Sequence, residues 1–318
     1  MNVNSTSENI SNHNWKSPHI TIEAKKAVPA SLLLKVNLKD IAKYMAQEWI
    51  MIILTWLVLW FAPIWLYPLG ALVISGRFIA LGALLHDACH VKRVDSVYSS
   101  LVDWLGGYPI GLSIESMRYH HLRHHRYACS HDDPYLKTGV ESSRILRVFS
   151  YLRGILVIIA WCIRPYFGLI ARIYPELKNQ YAKVFFGDKT SDNLRDSNEI
   201  DLCMAKDIGQ IIYQSLLIVL CVVFTHWMIL YYIIPLVVAS ILNSYRVVEE
   251  HTHEVTNDHS PINIVQYTND QPAGLLLRFF IFPRNIGYHK MHHLHPAVRF
   301  EMLPKLQHWY MNYKGPTQ

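Results

Sequence analysis

Two long stretches of this 318-residue chain carry almost no charge. From Trp49 to Gly76 there is no Asp, Glu, Lys or Arg, and past the lone Arg77 the apolar run continues to His86. The second stretch is Ile208–Tyr245. A membrane-crossing helix needs about 20 apolar residues, so each stretch has room for two. Pro63, Pro68 and Gly70 punctuate the first, and Thr225-His226 is the weak point of the second. The pattern predicts spans over about 49–66, 70–90, 208–224 and 228–248. A further apolar segment, 149–174, is interrupted by Arg153, Arg164 and Arg172, and its short clean core suits a helix lying in the interface. Residues 98–114 read as another surface helix, and 1–42 as a polar, mobile tail with an amphipathic lead-in.

Composition strengthens the membrane reading. Hydrophobic residues make up 51% of the chain and charged residues 17%, against about 25% charged in soluble domains. The formal charge is +6. The two tight turns carry no Lys or Arg, while the tail, 91–207 and the C-terminal segment hold nearly all of them. The positive-inside rule therefore predicts cytoplasmic termini. These basic residues border apolar runs and form no separate basic module, which argues against nucleic-acid binding. The N-terminus lacks the basic start and apolar core of a signal peptide. Five cysteines, an odd number with no C-x-x-C pair, read as reduced packing thiols.

The candidate chemistry is concentrated in histidine. His86 and His90 form H-x-x-x-H, which on a helix stacks both rings on one face. H-x-x-H-H occurs twice, at His121, His124 and His125 and at His289, His292 and His293. In each such box the first ring is expected to meet the fourth while the fifth points aside, so that one box serves two metals. The imidazoles outnumber the needs of one first-row ion, and two metals are the natural count. Imidazole suits iron, copper, zinc and nickel alike. One site can use all three groups only if an even number of crossings separates His125 from His289. Ile208–Tyr245 supplies two, and counting 149–174 would make three. The expected fold class is therefore all-α integral membrane: four transmembrane helices with a cytoplasmic cap carrying a histidine-rich di-metal site. Residues 43–318 form one domain, its C-terminal cap over 252–318.

The boxes H-D-A-C-H at 86–90, H-L-R-H-H at 121–125 and H-K-M-H-H at 289–293 resemble those of the membrane fatty acid desaturase and hydroxylase superfamily. Asp132-Asp133-Pro134, Tyr288, Leu294-His295-Pro296 and Arg246-Val247-Val248-Glu249-Glu250-His251 are similar to flanking elements of that family. The resemblance covers roughly residues 45–310. It implies a non-haem di-iron centre that activates O₂ and attacks an unactivated C–H bond. Metal binding carries over to His86, His90, His121, His124, His125, His251, His289, His292 and His293. Asp87, Asp132, Asp133, Arg246, Glu250 and Asn285 become candidates to orient those rings, and Asn285 alternatively holds a metal-bound water. His251 is preferred to His253 as the further ligand. The three-residue spacing of the first box is similar to acyl-lipid desaturases and carotenoid oxygenases. The implied reaction is a double bond placed in a long-chain acyl group of a membrane lipid. The alternatives are hydroxylation or ketolation of a carotenoid, sterol or alkyl chain on the same scaffold, and, more remotely, a zinc hydrolase or metal transporter. No fused cytochrome motif or iron–sulfur cysteine pattern is present, so electrons are expected from a separate ferredoxin or b-type cytochrome with its reductase. Arg77 reads equally as an interhelical bond or a functional charge. Trp56, Trp60 and Trp104 are candidates to line a substrate tunnel.

Overall fold

The computed structural model describes residues 20–94, 96–271 and 273–315. The expected tail up to residue 19, with His13 and His19, lies outside the described residues. Among those described, every regular element is helical, and extended pairing is confined to two isolated bridges, Lys35–Val298 and His251–Thr268. Five helices are long and apolar enough to cross a membrane: Leu38–Phe61, Ile64–Cys89, Arg144–Ile173, Asn198–Val223 and Thr225–Glu249.

Helix α1, Leu38–Phe61, starts where the Asn37 side chain accepts the Lys39 N–H at 2.8 Å. It ends just before Ala62-Pro63, where proline forbids continuation. The helix thus begins at Leu38 rather than near 49, because the cap sets the start and Ile41, Ala42 and Met45 are already buried. Helix α2, Tyr67–Cys89, carries Pro68 in its first turn. It is the central element: 72% of its apolar window is buried, against 11% for Asn198–Val223. That is why its sequence is hydrophobic all round.

Arg77, within α2, is answered by its neighbours. Its guanidinium donates to Glu48 at 3.0 Å and to the Phe279 carbonyl, and lies 4.0 Å over the Phe279 ring. Glu48 is fully buried and also accepts Arg284 Nε at 2.8 Å. Arg77 therefore makes interhelical bonds, and removing its carboxylate partner would cost about 3–5 kcal/mol in a low-dielectric setting.

Residues 98–114 are not one surface helix. Val97–Val102 gives way to a π turn over Asp103–Gly107 and a 3-10 turn over Tyr108–Ile110. Gly111, at φ 83°, ends it, a conformation that glycine tolerates best. Asp103 then accepts the Ile114 N–H at 2.7 Å and Ser113 the Ser116 N–H at 3.2 Å, launching α3, Ile114–Tyr127. Arg118 on α3 donates to the carbonyls of Cys89 (3.0 Å) and Val91 (2.9 Å), which pins the end of α2 to α3.

After Arg144–Leu152 comes α4, Gly154–Ile173, with Pro165 inside it. Helix α5, Asn198–Val223, begins ahead of its apolar run because Ser197 caps it and Glu199 and Asp201 occupy its first turn. Thr225–Met228 and a π turn over Ile229–Ile233 lead into α6, Ile234–Glu249. The π turn accommodates Pro235, which has no N–H to give. Two short helices complete the parts used below: α7, Leu275–Phe280, and α8, His289–Leu294.

Candidate metal centre

The ends of α2 and α3, the second residue after α6 and the whole of α8 meet at one place. One ring nitrogen from each of His86, His90, His121 and His292 lies within 4.8 Å of the others, and the same holds for His124, His251, His289 and His293. Close Nε2–Nε2 pairs run through both groups: His121–His292 at 3.3 Å, His124–His293 at 3.3 Å, His251–His289 at 3.0 Å and His289–His293 at 3.1 Å. His125 Nε2 joins the first group, 2.8 Å from His121 and 3.1 Å from His292.

A neutral imidazole has one N–H to donate. Rings that turn their Nε2 atoms together while a carboxylate holds Nδ1 therefore bring lone pairs face to face, which calls for a cation. Around a metal with nitrogens at about 2.1 Å, neighbouring ligands stand about 3.0–3.4 Å apart. Most of the contacts here, 3.0 to 3.3 Å, are of that size, and the His121–His125 pair at 2.8 Å is slightly closer. His90 Nε2 is buried with no hydrogen-bond partner. The donor set fits two metal ions, and all nine candidate ligands come together.

The sharing within each box differs from expectation. His121 pairs with His125, first with fifth, while His124 serves the other group. In α8, His289 pairs with His293 and His292 crosses over. Residues four apart differ by about 40° around a helix, whereas the fourth and fifth positions of the box differ by about 100°. The first and fifth rings therefore share a face, and the fourth is the one turned aside. The two boxes are reciprocal: each gives a pair to one group and a single ring to the other.

Supporting groups fix the rings. Asp133 Oδ1 lies 2.8 Å from His124 Nδ1, and the carboxylate is held by the N–H groups of Cys129 and Tyr135 at 3.1 and 2.8 Å. Glu250 is 3.7 Å from His289 Nδ1 and is gripped by Arg246 at 2.7 and 2.8 Å. Burial pushes Glu250 up to about 7, with Arg246 pulling the other way. Asp87 is 3.5 Å from His86 Nδ1. His251 is set by its bridge to Thr268 and by Asn269, whose N–H donates to the Glu250 carbonyl at 2.7 Å.

Other candidates lie elsewhere. Asp132 is exposed. Asn285 accepts from Arg278 and donates to the Phe300 carbonyl at 3.2 Å, so its side chain is engaged away from both groups. His253 Nε2 faces the Val248 carbonyl and His120 the Phe186 carbonyl. Two contributors had no signal in the sequence. Tyr135 stacks on His124 at 4.1 Å and sits 3.5 Å from His121 Nδ1. Asp270 accepts the Lys290 N–H at 2.9 Å and so steadies the start of α8.

Asp133→Ala is expected to weaken metal binding by about 10–100-fold, read by chelator competition, because His124 loses the group that selects its tautomer. A pH effect follows from burial. His121, His251, His289, His292 and His293 are held well below the ordinary 6.5, first by desolvation and then by mutual repulsion. Below pH 6.5 the unfolded chain therefore binds more protons than the folded one, and stability falls with pH. Metal-free protein is expected to melt at progressively lower temperature from about pH 6.5 downward, checked by thermal denaturation across pH; a flat profile would contradict it.

A cavity of about 120 Å³ abuts His86. Tyr135, Asn243 and Arg246 stand at its polar end, and Phe78, Gly82, Ile158, Trp161 and Leu236 are among its apolar walls. The expected tunnel tryptophans are not there. Trp56 packs on Trp227 at 4.7 Å, Trp60 is exposed, and Trp104 packs on Tyr108 at 5.4 Å. Their spacing in the sequence carried no information on which side of the bundle they face.

No curated protein matches the chain at a significant level. A family model described as fatty acid desaturase matches residues 63–315. With that match over most of its length, and with three histidine boxes meeting at one centre, the chain belongs to the fatty acid desaturase family.

Proposed function

We propose that the protein is an O₂-dependent membrane oxidoreductase that places a double bond in a long-chain acyl group of a membrane lipid. The observation that carries this is the pair of histidine groups, the first joined by His125, whose His86 lines one end of a largely apolar cavity. Two iron ions held by the nine histidines would supply O₂ activation and the removal of hydrogen from an unactivated C–H bond. His86, His90, His121, His125 and His292 would hold one, and His124, His251, His289 and His293 the other.

The chain's own residues do the rest. Phe78, Ile158, Trp161 and Leu236 exclude water and hold the acyl chain by dispersion. Gly82, one helical turn before His86, leaves open the space a side chain would fill. Asp133, hydrogen-bonded to His124 Nδ1, keeps that nitrogen protonated so that the ring offers Nε2 inward, and Glu250 and Asp87 place negative charge near His289 and His86. Electrons come from a separate donor protein.

Four spans suit this reading better than five. His121 and His289 share one centre, so an even number of crossings must separate them, yet three apolar helices intervene. We assign Arg144–Ile173 as the one that does not cross. Its contacts support this: Tyr151 donates to Glu249, next to the metal groups, and Arg164 donates to Ser116 on α3. Both termini and the metal centre are then cytoplasmic.

The test is expression in a host followed by profiling of membrane lipids. New double bonds are expected, absent with an inactive variant. A hydroxylated or ketone product instead would move the assignment to a hydroxylase or ketolase, and zinc in place of iron would end it.

A further inference from the structure

On the far side of α2 from the metal centre lies a second pocket, of about 510 Å³. Arg77 precedes His86 by nine residues, which is half a revolution around the helix, so the two point to opposite sides. The pocket is lined by Gln47, Glu48, Ile50, Met51, Arg77, Arg278, Phe279, Pro283 and Arg284. Three arginines thus meet one carboxylate among the described lining residues.

Glu48 is already shared between Arg77 and Arg284. Arg278 has a neutral partner, Asn285. The lining therefore carries an excess of two positive charges, and Arg77 Nε is buried with no hydrogen-bond partner. Uncompensated guanidinium in a partly desolvated pocket favours an anion, and a phosphate matches the planar donor fork of arginine. The rim is apolar. Leu275 and Leu276 on α7 are 84% and 74% exposed, and Ile50 and Leu54 on α1 are exposed beside it. A freely soluble anion gains nothing from such a rim, whereas acyl chains do.

We propose that Arg77, Arg278 and Arg284 form a binding site for the phosphate of an anionic membrane phospholipid, separate from the cavity at His86. The lipid's acyl chains lie along α1 and α7. The phosphate offsets the excess charge and holds the segment that leads into α8. That segment has something to hold: Arg284 and Asn285 are both left-handed, at φ 55° and 57°, uncommon for residues with a side chain.

The test uses the full-length protein purified in detergent, with lipid retention measured by native mass spectrometry. The probes are phosphatidylglycerol, phosphatidylcholine and inorganic phosphate. Wild type is expected to retain phosphatidylglycerol over phosphatidylcholine by at least about fivefold. Arg278→Gln should lower that retention by about fivefold, and Arg278→Lys should restore part of it. Because Arg278 answers no carboxylate among the described residues and gives up one hydrogen bond, to Asn285, the lipid-free melting temperature of Arg278→Gln should fall only slightly. Should that variant not fold, Gln47→Glu adds an anion to the same lining and should likewise weaken retention. Equal retention of the two lipids would overturn the proposal. So would unchanged phosphatidylglycerol binding in the variants, or stabilisation by inorganic phosphate as large as by the lipid. None of these measurements depends on iron or turnover, so the outcome is separable from the redox assignment.

Discussion

His251→Ala is expected to abolish double-bond formation and to lower bound iron from about two ions per chain toward one. His253→Ala should leave both unchanged. The contrast is sharp because the two histidines stand two positions apart in the sequence and do different things. His251 Nε2 faces His289 Nε2 at 3.0 Å within the second group. His253 faces the Val248 carbonyl at 3.2 Å and receives the Lys137 N–H, also at 3.2 Å. The second group has four rings where the first has five, counting His125. Losing one therefore leaves its metal with three imidazoles. Iron content by mass spectrometry and product by lipid analysis check the result. Full iron occupancy in His251→Ala would show that the second group is not a metal site. Activity lost equally in His253→Ala would point to a role for the loop rather than for the ring.

Gly82→Leu is expected to cut turnover on long acyl chains by on the order of 100-fold while iron content stays at wild-type level. A Cβ at this position meets only Ile110 Cδ1, at 3.6 Å, an ordinary contact. The backbone therefore accepts a side chain. What it fills is the cavity of about 120 Å³ that ends at His86. The variant thus separates the space for substrate from the integrity of the metal centre. Gly82→Ala should be mild by comparison. A fall in bound iron in Gly82→Leu would mean that the helix end carrying His86 had shifted, and the effect could not be assigned to the cavity. Unchanged activity would mean that the acyl chain takes another route.

The sequence by itself determined the family and the apolar setting. Uncharged runs long enough for paired helices fix a membrane protein, because length and apolarity are additive along a chain. The histidine boxes are equally local. Their spacing puts rings on helix faces wherever those helices go, and it named all nine rings that converge. The Arg-Glu element before His251 pointed to the ring that lies with the second group, where His253 does not.

Whatever depends on which side of one helix meets which side of another was decided by the tertiary structure alone. Helix geometry sets the fourth ring of each box apart from the first and fifth, but only the packing of α8 against α3 decides which group each ring joins. Tyr135 and Asp270 reach the centre through loops, with no period to betray them. Trp56 and Trp60 line a separate pocket of about 710 Å³ beside His226 and Trp227, and not the cavity at His86. Arg77 is a charge in an apolar run, and only the packing of α1 on α2 brings it Glu48, from the middle of α1. Contacts across long sequence separations are set by packing, and a linear pattern records only what each residue is and how far it stands from its neighbours in the chain.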